Sequence, residues 1–154
     1  MHRDLMIRLG KQEDLKDIFR LVRELAIYEK AEKEVFTDAE IYQTAFENGL
    51  FKCLVAQKGD SIIGMMLFYD AFSTWKGKML WLEDFVVEEK FRQSGVGKML
   101  FNALVEYGKS HGYALIKWEV LDWNTPAIKF YEKIGAKLET NWWDGKYFLN
   151  NSRV

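Results

Sequence analysis

The chain has 154 residues and a formal net charge of −1, so it lacks the basic field that attracts nucleic acid or an anionic membrane. Its length suits a single domain, expected to span residues 1–154, and 49% of its residues are apolar and available for a core. A lone Cys53 excludes an internal disulfide, and the lack of a signal segment or a long apolar run predicts a cytoplasmic protein.

The first half of the chain alternates predicted strands with two amphipathic helices. Apolar residues at helical spacing predict a helix from residue 12 to about residue 30. Thr37 and Glu40 fit a capping box, which predicts a second helix from residue 38 to about residue 48. Strands are predicted at residues 6–9, 51–57 and 62–69, with an irregular connection at 70–78.

The stretch from residue 80 to residue 98 is typical of a buried strand, a turn of small residues and a helix N-terminus. The first N–H groups of a helix have no partner within it, and the helix dipole adds positive charge there, so this end suits phosphate. Gly95 and Gly97 permit close approach of a ligand, while Arg92 and Lys98 supply positive charge. The helix is expected to run to about His111.

The spacing of this loop separates it from other phosphate-binding loops. A Walker loop requires glycine at the position of Arg92 and Ser or Thr at the position of Met99. A dinucleotide fingerprint requires a third glycine where this chain has Leu100, and a preceding βαβ unit that is missing here. The remaining pattern is Arg-x-x-Gly-x-Gly.

The last third of the chain continues the mixed pattern. A strand is predicted at residues 114–121, followed by a short helix with Thr125 as N-cap, Pro126 in its first turn and Gly135 after its end. Two further strands are predicted at 137–140 and 146–149. The result is a mixed α/β sheet in which the strands before and after the helix that follows Gly95 are parallel, joined by a right-handed crossover.

Two separated motifs resemble the GNAT acetyltransferases. Arg92-x-x-Gly95-x-Gly97 is similar to the pyrophosphate loop of that family, and the segment from Asn124 to Ala136 is similar to its Asn-x-x-Ala-x-x-Phe-Tyr-x-x-x-Gly motif. The resemblance implies the α/β GNAT fold, with a mixed sheet of six to seven strands and about four helices.

A closer resemblance points to the spermidine/spermine (diamine) N-acetyltransferase branch, carried by Leu82-Glu83-Asp84-Phe85 and by residues 23–29. Ser73-Thr74-Trp75-Lys76-Gly77 is more similar to the thialysine N-epsilon-acetyltransferases. The polyamine enzymes have an acidic residue and Pro in place of Ser73-Thr74. This difference argues against spermidine or spermine as the best substrate and leaves the acceptor open among small primary amines.

The resemblance implies direct acetyl transfer from acetyl-CoA to the primary amine of a small diamine, polyamine or lysine-like molecule, without a metal. Glu83 would take the amine proton, directly or through water, and a backbone N–H near Phe85 would polarise the carbonyl. Tyr131 would protonate the departing thiolate; its alternative role is packing against Phe130.

The remaining expected contacts follow the same resemblance. Cofactor contacts are expected at Phe85, Val86, Val87, Arg92, Gln93, Ser94, Gly95, Val96, Gly97, Lys98, Asn124, Ala127 and Tyr131. Acceptor contacts are expected at Tyr28, Glu29, Trp75, Glu83, Lys117, Trp118 and Glu119.

The strand that carries Glu83 and Asp84 raises a question of geometry. Successive side chains of a regular strand point to opposite faces, so the two carboxylates are not expected to face the same side. In the family this strand contains a bulge that opens a gap beside its neighbour, and the resemblance implies the same here.

Two alternatives remain open from the sequence: an acetyltransferase for a protein N-terminus or lysine, and a CoA-binding regulatory module without catalysis. Family members pair as homodimers, often through C-terminal strands, which implies a homodimer formed through residues 141–149. No nucleic-acid or membrane partner is expected.

Overall fold

The computed structural model describes residues 3–150, and it divides after Trp118 into two compact units, Met1–Trp118 and Glu119–Val154. The first unit contains a five-stranded sheet in the order β1-β2-β3-β4-β5. Its strands are β1 Leu5–Leu9, β2 Lys52–Lys58, β3 Ser61–Ser73, β4 Gly77–Val87 and β5 Leu115–Lys117. The first four strands are antiparallel, and β5 is parallel to β4 as the sequence predicted.

Helices cover both faces of this sheet. They are α1 Leu15–Tyr28, α2 Ala39–Glu47 and α3 Val96–Ser110, with short 3-10 turns at Gln12–Asp14, Glu32–Glu34 and Glu89–Phe91. On one face, Ile18 and Leu21 of α1 pack with Met65 of β3 in one apolar cluster. On the other face, Leu100 of α3 packs with Phe68 in a second cluster. The alternating strand residues thereby serve two separate cores.

The connection expected at residues 70–78 is instead the end of a long hairpin. β3 continues to Ser73 and β4 begins at Gly77, with Ser73 paired to Gly77 and Phe72 paired to Lys78. Gly77 has φ +104°, which a residue with a Cβ rarely adopts, so glycine permits this tight reversal. The prediction of an irregular connection was therefore wrong, because strand pairing extends through residues whose composition is typical of a loop.

A β-bulge interrupts the pairing of β3 and β4. Leu67 pairs with Asp84 while the next residue, Phe68, pairs with Leu82, so Glu83 is the extra residue on β4. The bulge implied by the family resemblance is thus present, and it lies at the proposed catalytic residue. A bulge bends its strand and increases the local twist.

Two helix starts differ from the sequence predictions by one residue. The Oδ1 of Asp38 accepts the Ile41 N–H at 2.9 Å, so Asp38 rather than Thr37 is the N-cap of α2. The second unit contains the fourth helix, α4 Thr125–Lys133, and its N-cap is Asn124 rather than Thr125. In both cases the side-chain oxygen of an Asx residue accepts a backbone N–H from the first turn of the helix.

The described part of the second unit contains no strand, so the strands expected at residues 137–140 and 146–149 are wrong for this structure. The sheet accordingly has five strands among residues 3–150 rather than six to seven. A strand requires a hydrogen-bonded partner, and aromatic composition alone does not supply one. Trp143, which lies between these two stretches, is 98% exposed.

Candidate active site

The loop between β4 and α3 has the geometry expected of a phosphate-binding turn. Gly95 is the N-cap of α3 with φ +92°, a left-handed conformation that favours glycine. The first backbone bond of the helix joins the Met99 N–H to the Gly95 carbonyl at 3.0 Å. The N–H groups of Val96, Gly97 and Lys98 therefore lie at the open end of the helix, where an anion is favoured.

Two side chains of the loop hydrogen-bond to its backbone. Arg92 Nε donates to the Val87 carbonyl at 2.9 Å, and the Ser94 hydroxyl donates to the Phe91 carbonyl. Gln93 has φ +61°, so the chain reverses between Arg92 and Ser94 before the helix begins. Arg92 and Lys98 are both exposed, which leaves their cationic ends accessible to a ligand.

The edge of β4 next to β5 is open beyond the bulge. The pairing of these strands ends at Trp81 and Lys117, while β4 continues to Val87. Among residues 3–150, the strand pairings leave Val86 and Val87 without a strand neighbour on that side. The open edge leads directly into the loop that carries Arg92.

The bulge changes the side on which Asp84 lies. Phe68 and Leu82 are paired members of the cluster against α3, whereas Leu67, which pairs with Asp84, belongs to the cluster against α1. Glu83 follows Leu82 and so points away from α3, and Asp84 shares the side of Leu67. The expectation that the two carboxylates face opposite sides was wrong, because the extra residue resets the alternation.

The Glu83 carboxylate is held by two hydrogen bonds. Its Oε1 accepts the Trp81 Nε1–H at 3.0 Å and the Tyr69 hydroxyl at 3.2 Å. Neither bond uses Oε2, and Glu83 is exposed. The carboxylate is thus oriented by one oxygen while the other can receive a proton or a cationic ligand.

Burial, then the charges of Glu83 and Glu29, raise the pKa of Asp84 from 3.8 to about 7. Burial also raises the pKa of Glu29 at the C-terminus of α1. The pKa of Tyr42 rises to about 12, because of burial first and then the Asp84 charge. Carboxylates from two elements thus share a partly desolvated region in which an added cation lowers their mutual repulsion.

Two cation–aromatic contacts border this region. The Nζ of Lys117 lies 6.0 Å from the centroid of the Trp81 ring, whose indole N–H binds Glu83. The guanidinium carbon of Arg92 lies 5.2 Å from the centroid of the Tyr28 ring. The structure therefore brings an expected acceptor residue, Tyr28, against an expected cofactor residue, Arg92.

Two other expected acceptor residues have different surroundings. Trp118 is half-buried, with its ring edge-to-face against Phe101 at 5.7 Å. Trp75 is 82% exposed at the tip of the β3–β4 hairpin. Gly77, beside that tip, is six strand residues from Glu83, or roughly 20 Å at the usual rise. A substrate contact by Trp75 stays a prediction.

The second unit holds the other motif. The Oδ1 of Asn124 accepts the Ala127 N–H at 3.4 Å, which begins α4, and both Asn124 and Tyr131 are buried. Tyr131 makes an edge-to-face ring contact with Phe130 at 5.6 Å, as its packing alternative expected. Glu119 is exposed at the start of this unit. The acid role of Tyr131 stays a prediction.

Sequence reasoning missed the joint placement of Glu83 and Asp84 and the two residues that orient Glu83, namely Tyr69 and Trp81. The spacing of Trp81 and Glu83 by two residues was a signal, because such residues share one face of a strand. No comparable signal marks Tyr69, which reaches Glu83 from the neighbouring strand.

The described residues also form a cavity beside α1 and α2. A cavity of about 520 Å³ is lined by Gln12, Glu13, Leu15, Lys16, Ala39, Tyr42 and Gln43, none of them an expected site residue. Residues 3–150 contain no group of three or more His, Cys, Asp and Glu side chains arranged to hold a metal ion. None of their helices is long and apolar enough to cross a membrane.

Comparison with known proteins agrees with this geometry. The acetyltransferase (GNAT) family model matches residues 14–136. Thialysine N-epsilon-acetyltransferase from Bos taurus is 35% identical over 143 residues, covering 86% of this chain and 84% of that protein. Spermidine/spermine N(1)-acetyltransferase-like protein 1 from Homo sapiens is 30% identical over 139 residues, covering 84% of this chain and 20% of that protein.

The fold has close counterparts among solved structures. The aminoglycoside acetyltransferase meta-AAC0020, from an uncultured soil metagenomic sample, superimposes with a TM-score of 0.81 over 96% of this chain and 98% of that one, at 19% identity. This likeness shows the shared fold. The family match over residues 14–136 and the identity to the two curated relatives establish that the chain belongs to the GNAT family of acetyltransferases, in the branch of the thialysine and spermidine/spermine N-acetyltransferases.

Proposed function

We propose that this protein transfers an acetyl group from acetyl-CoA directly to the primary amine of a small diamine, polyamine or lysine-like acceptor such as thialysine. The observation that carries the proposal is the bulge at Glu83, which directs two carboxylates to one side of β4 beside an open strand edge and an anion-binding turn. The two carboxylates suit a cationic amine, and the turn suits the phosphate groups of a thioester cofactor.

The turn and the open edge fit the two ends of the cofactor. The N–H groups at the start of α3, with Arg92 and Lys98, would hold the pyrophosphate. Phe85, Val86 and Val87 would pair with the amide groups of pantetheine as a strand pairs with a strand. A backbone N–H near Phe85 would then donate to the thioester carbonyl as negative charge develops on its oxygen.

The acceptor amine must lose a proton before it attacks. A lysine-like amine has a pKa of about 10.4, so on the order of one molecule in a thousand is neutral at pH 7. Tyr69 and Trp81 hydrogen-bond to Glu83, which would take this proton directly or through water, and Asp84 adds a carboxyl whose pKa is about 7. A carboxyl that titrates near neutral pH, as Asp84 does, is suited to general base catalysis.

Collapse of the tetrahedral intermediate breaks the carbon–sulfur bond and releases the thiolate of CoA. Tyr131 would supply a proton to this sulfur. Because a thiol pKa near 8.5 lies below a tyrosine pKa near 10, this proton is a modest aid and not a strict requirement. The amide product keeps the acetyl group, and the amine proton leaves through the carboxylates.

The test measures acetyl-CoA consumption, with thiol release as the readout. The acceptors are putrescine, spermidine, spermine, lysine and thialysine. We expect turnover of a free amine, with kcat/KM about 10²–10⁴-fold lower in Glu83→Gln and roughly tenfold lower in Tyr131→Phe. Glu40→Gln and Tyr147→Phe alter exposed residues of the same types and serve as matched controls.

Three results would contradict parts of this proposal. Unchanged turnover in Glu83→Gln and Tyr131→Phe would remove their assigned roles. Acetylation of peptides in preference to every free amine would indicate a protein acceptor. Tight CoA binding without turnover of any amine or peptide would indicate a regulatory module.

A further inference from the structure

The contact between Tyr28 and Arg92 joins the two halves of the proposed site. Arg92 belongs to the turn before α3, and its guanidinium carbon lies 5.2 Å from the centroid of the Tyr28 ring. Tyr28 is the last residue of α1, and Glu29 is the C-cap of that helix. One side chain of the phosphate-binding turn is therefore packed against the residue that precedes an acceptor carboxylate.

The geometry of Arg92 permits this contact to persist when an anion binds. Its Nε–H donates to the Val87 carbonyl at 2.9 Å, and its guanidinium carbon lies over the Tyr28 ring. Neither contact requires the Nη–H groups. A guanidinium can bind phosphate in its plane while its face packs on an aromatic ring.

A second link joins α1 to the same segment. Arg20, eight residues before Tyr28 on α1, donates to Glu88 Oε1 at 3.2 Å and to the Ile62 carbonyl at 2.9 Å. Glu88 immediately follows β4 and donates its own N–H to the Ile63 carbonyl at 2.8 Å. The body of α1 is thus fixed to the start of the turn, and Tyr28 adds a contact at the end of the helix.

We infer that binding of the cofactor pyrophosphate to Arg92 orders the end of α1 through Tyr28 and so assembles the acceptor side of the site around Glu29. Tyr28 is in this sense a positioning residue that couples the two ligands. This inference rests on the proposed function, and it implies that acetyl-CoA raises the affinity for the amine. The coupling is reciprocal, so the amine strengthens cofactor binding by the same factor.

The end of α1 offers a direct readout that needs no amine. The N–H groups of Glu29, Lys30 and Ala31 donate to the carbonyls of Leu25, Ile27 and Ala26 at 2.8, 3.0 and 2.8 Å. Their hydrogen exchange reports opening of this helix end. Coenzyme A should slow that exchange about two- to fivefold, which corresponds to the roughly 0.5–1 kcal/mol of an exposed cation–aromatic contact.

The experiment compares hydrogen exchange with and without coenzyme A in the wild type, Tyr28→Phe, Tyr28→Leu and Ile27→Ala. We expect coenzyme A to protect residues 92–99 in all four proteins. Protection of residues 29–31 should appear in the wild type and in Tyr28→Phe, which keeps the ring, and should be lost in Tyr28→Leu. Ile27 is exposed on the same turn, so Ile27→Ala should behave as the wild type.

The outcomes separate the inference from the function on which it rests. Protection of residues 92–99 without protection of residues 29–31 in the wild type would overturn the coupling and leave the cofactor site intact. Full protection of both segments in Tyr28→Leu would also overturn it. No protection of residues 92–99 in the wild type would remove the proposed cofactor site and the inference together.

Discussion

The indole Nε1–H of Trp81 donates a 3.0 Å hydrogen bond to Oε1 of Glu83, two residues further along the same strand. Both residues lie at the end of β4–β5 pairing, where the bulge begins. The bond fixes one carboxylate oxygen of the proposed base. It also links the orientation of that base to the Trp81 ring, which Lys117 Nζ approaches to 6.0 Å from the centroid.

We expect Trp81→Phe to lower kcat/KM by about three- to tenfold, since a hydrogen bond to a charged group contributes on the order of 1 kcal/mol or more. The Tyr69 hydroxyl still binds Oε1 in this variant, so the loss should be partial. Initial-rate kinetics with the best amine of the panel measure it. Trp143→Phe, at an exposed tryptophan, should have no effect, and an unchanged rate in Trp81→Phe would contradict the orienting role.

The raised pKa of Asp84 predicts a pH-dependent stability. An acid whose pKa is higher in the folded than in the unfolded protein binds more protons when folded, so its contribution to stability falls as the pH rises from about 4 to about 7. Asp84→Asn removes this loss. Its free energy of unfolding should exceed that of the wild type at pH 8 by about 1 kcal/mol or more, with a smaller difference at pH 4.

Urea denaturation at the two pH values measures this difference. Asp60→Asn replaces an exposed aspartate in the β2–β3 turn and serves as the matched control, with no such pH dependence expected. An equal effect of Asp84→Asn at pH 4 and pH 8 would show that Asp84 ionises at its ordinary pKa.

The same carboxyl predicts a feature of the pH–rate profile. The logarithm of kcat/KM should rise with pH because the amine loses its proton, and should show an additional break near pH 7 as Asp84 deprotonates. Asp84→Asn should lack this break while keeping the rise that belongs to the amine. A break of unchanged position in that variant would assign it to another group.

The left-handed conformation of Gly95 predicts unequal effects of two neighbouring substitutions. Gly95→Ala should lower the free energy of unfolding by about 1–2 kcal/mol, because its φ of +92° strains a residue with a Cβ. Gly97 lies within α3, where alanine is favourable, so Gly97→Ala should leave stability equal or slightly higher.

Thermal unfolding measures this contrast, and the apparent KM for acetyl-CoA tests the proposed cofactor site. Gly95→Ala should raise that KM through distortion of the turn, and Gly97→Ala through the added Cβ where the backbone meets phosphate. Equal stability losses in both variants would contradict the conformational argument. An unchanged KM in both would contradict phosphate binding at this turn.

The sequence by itself determined the features that depend on local chemistry. The apolar spacing of α1 and α3, the glycine at the start of α3 and the parallel relation of β4 and β5 all follow from periodicity, turn residues and connection length. The family was likewise readable from Arg92-x-x-Gly95-x-Gly97 and the Asn124–Ala136 segment, because these motifs are contiguous.

Only the tertiary structure decided how the carboxylates and the strand ends are arranged. The side of the sheet on which Asp84 lies depends on a register shift against Leu67 and Phe68. Strand periodicity alone predicts that Asp84 and Glu83 lie on opposite sides. The segment 137–149 has the composition of strands but no ladder in this structure. Tyr28 and Arg92 lie 64 positions apart, so their contact follows from the packing of α1 beside the turn before α3, which no local pattern encodes.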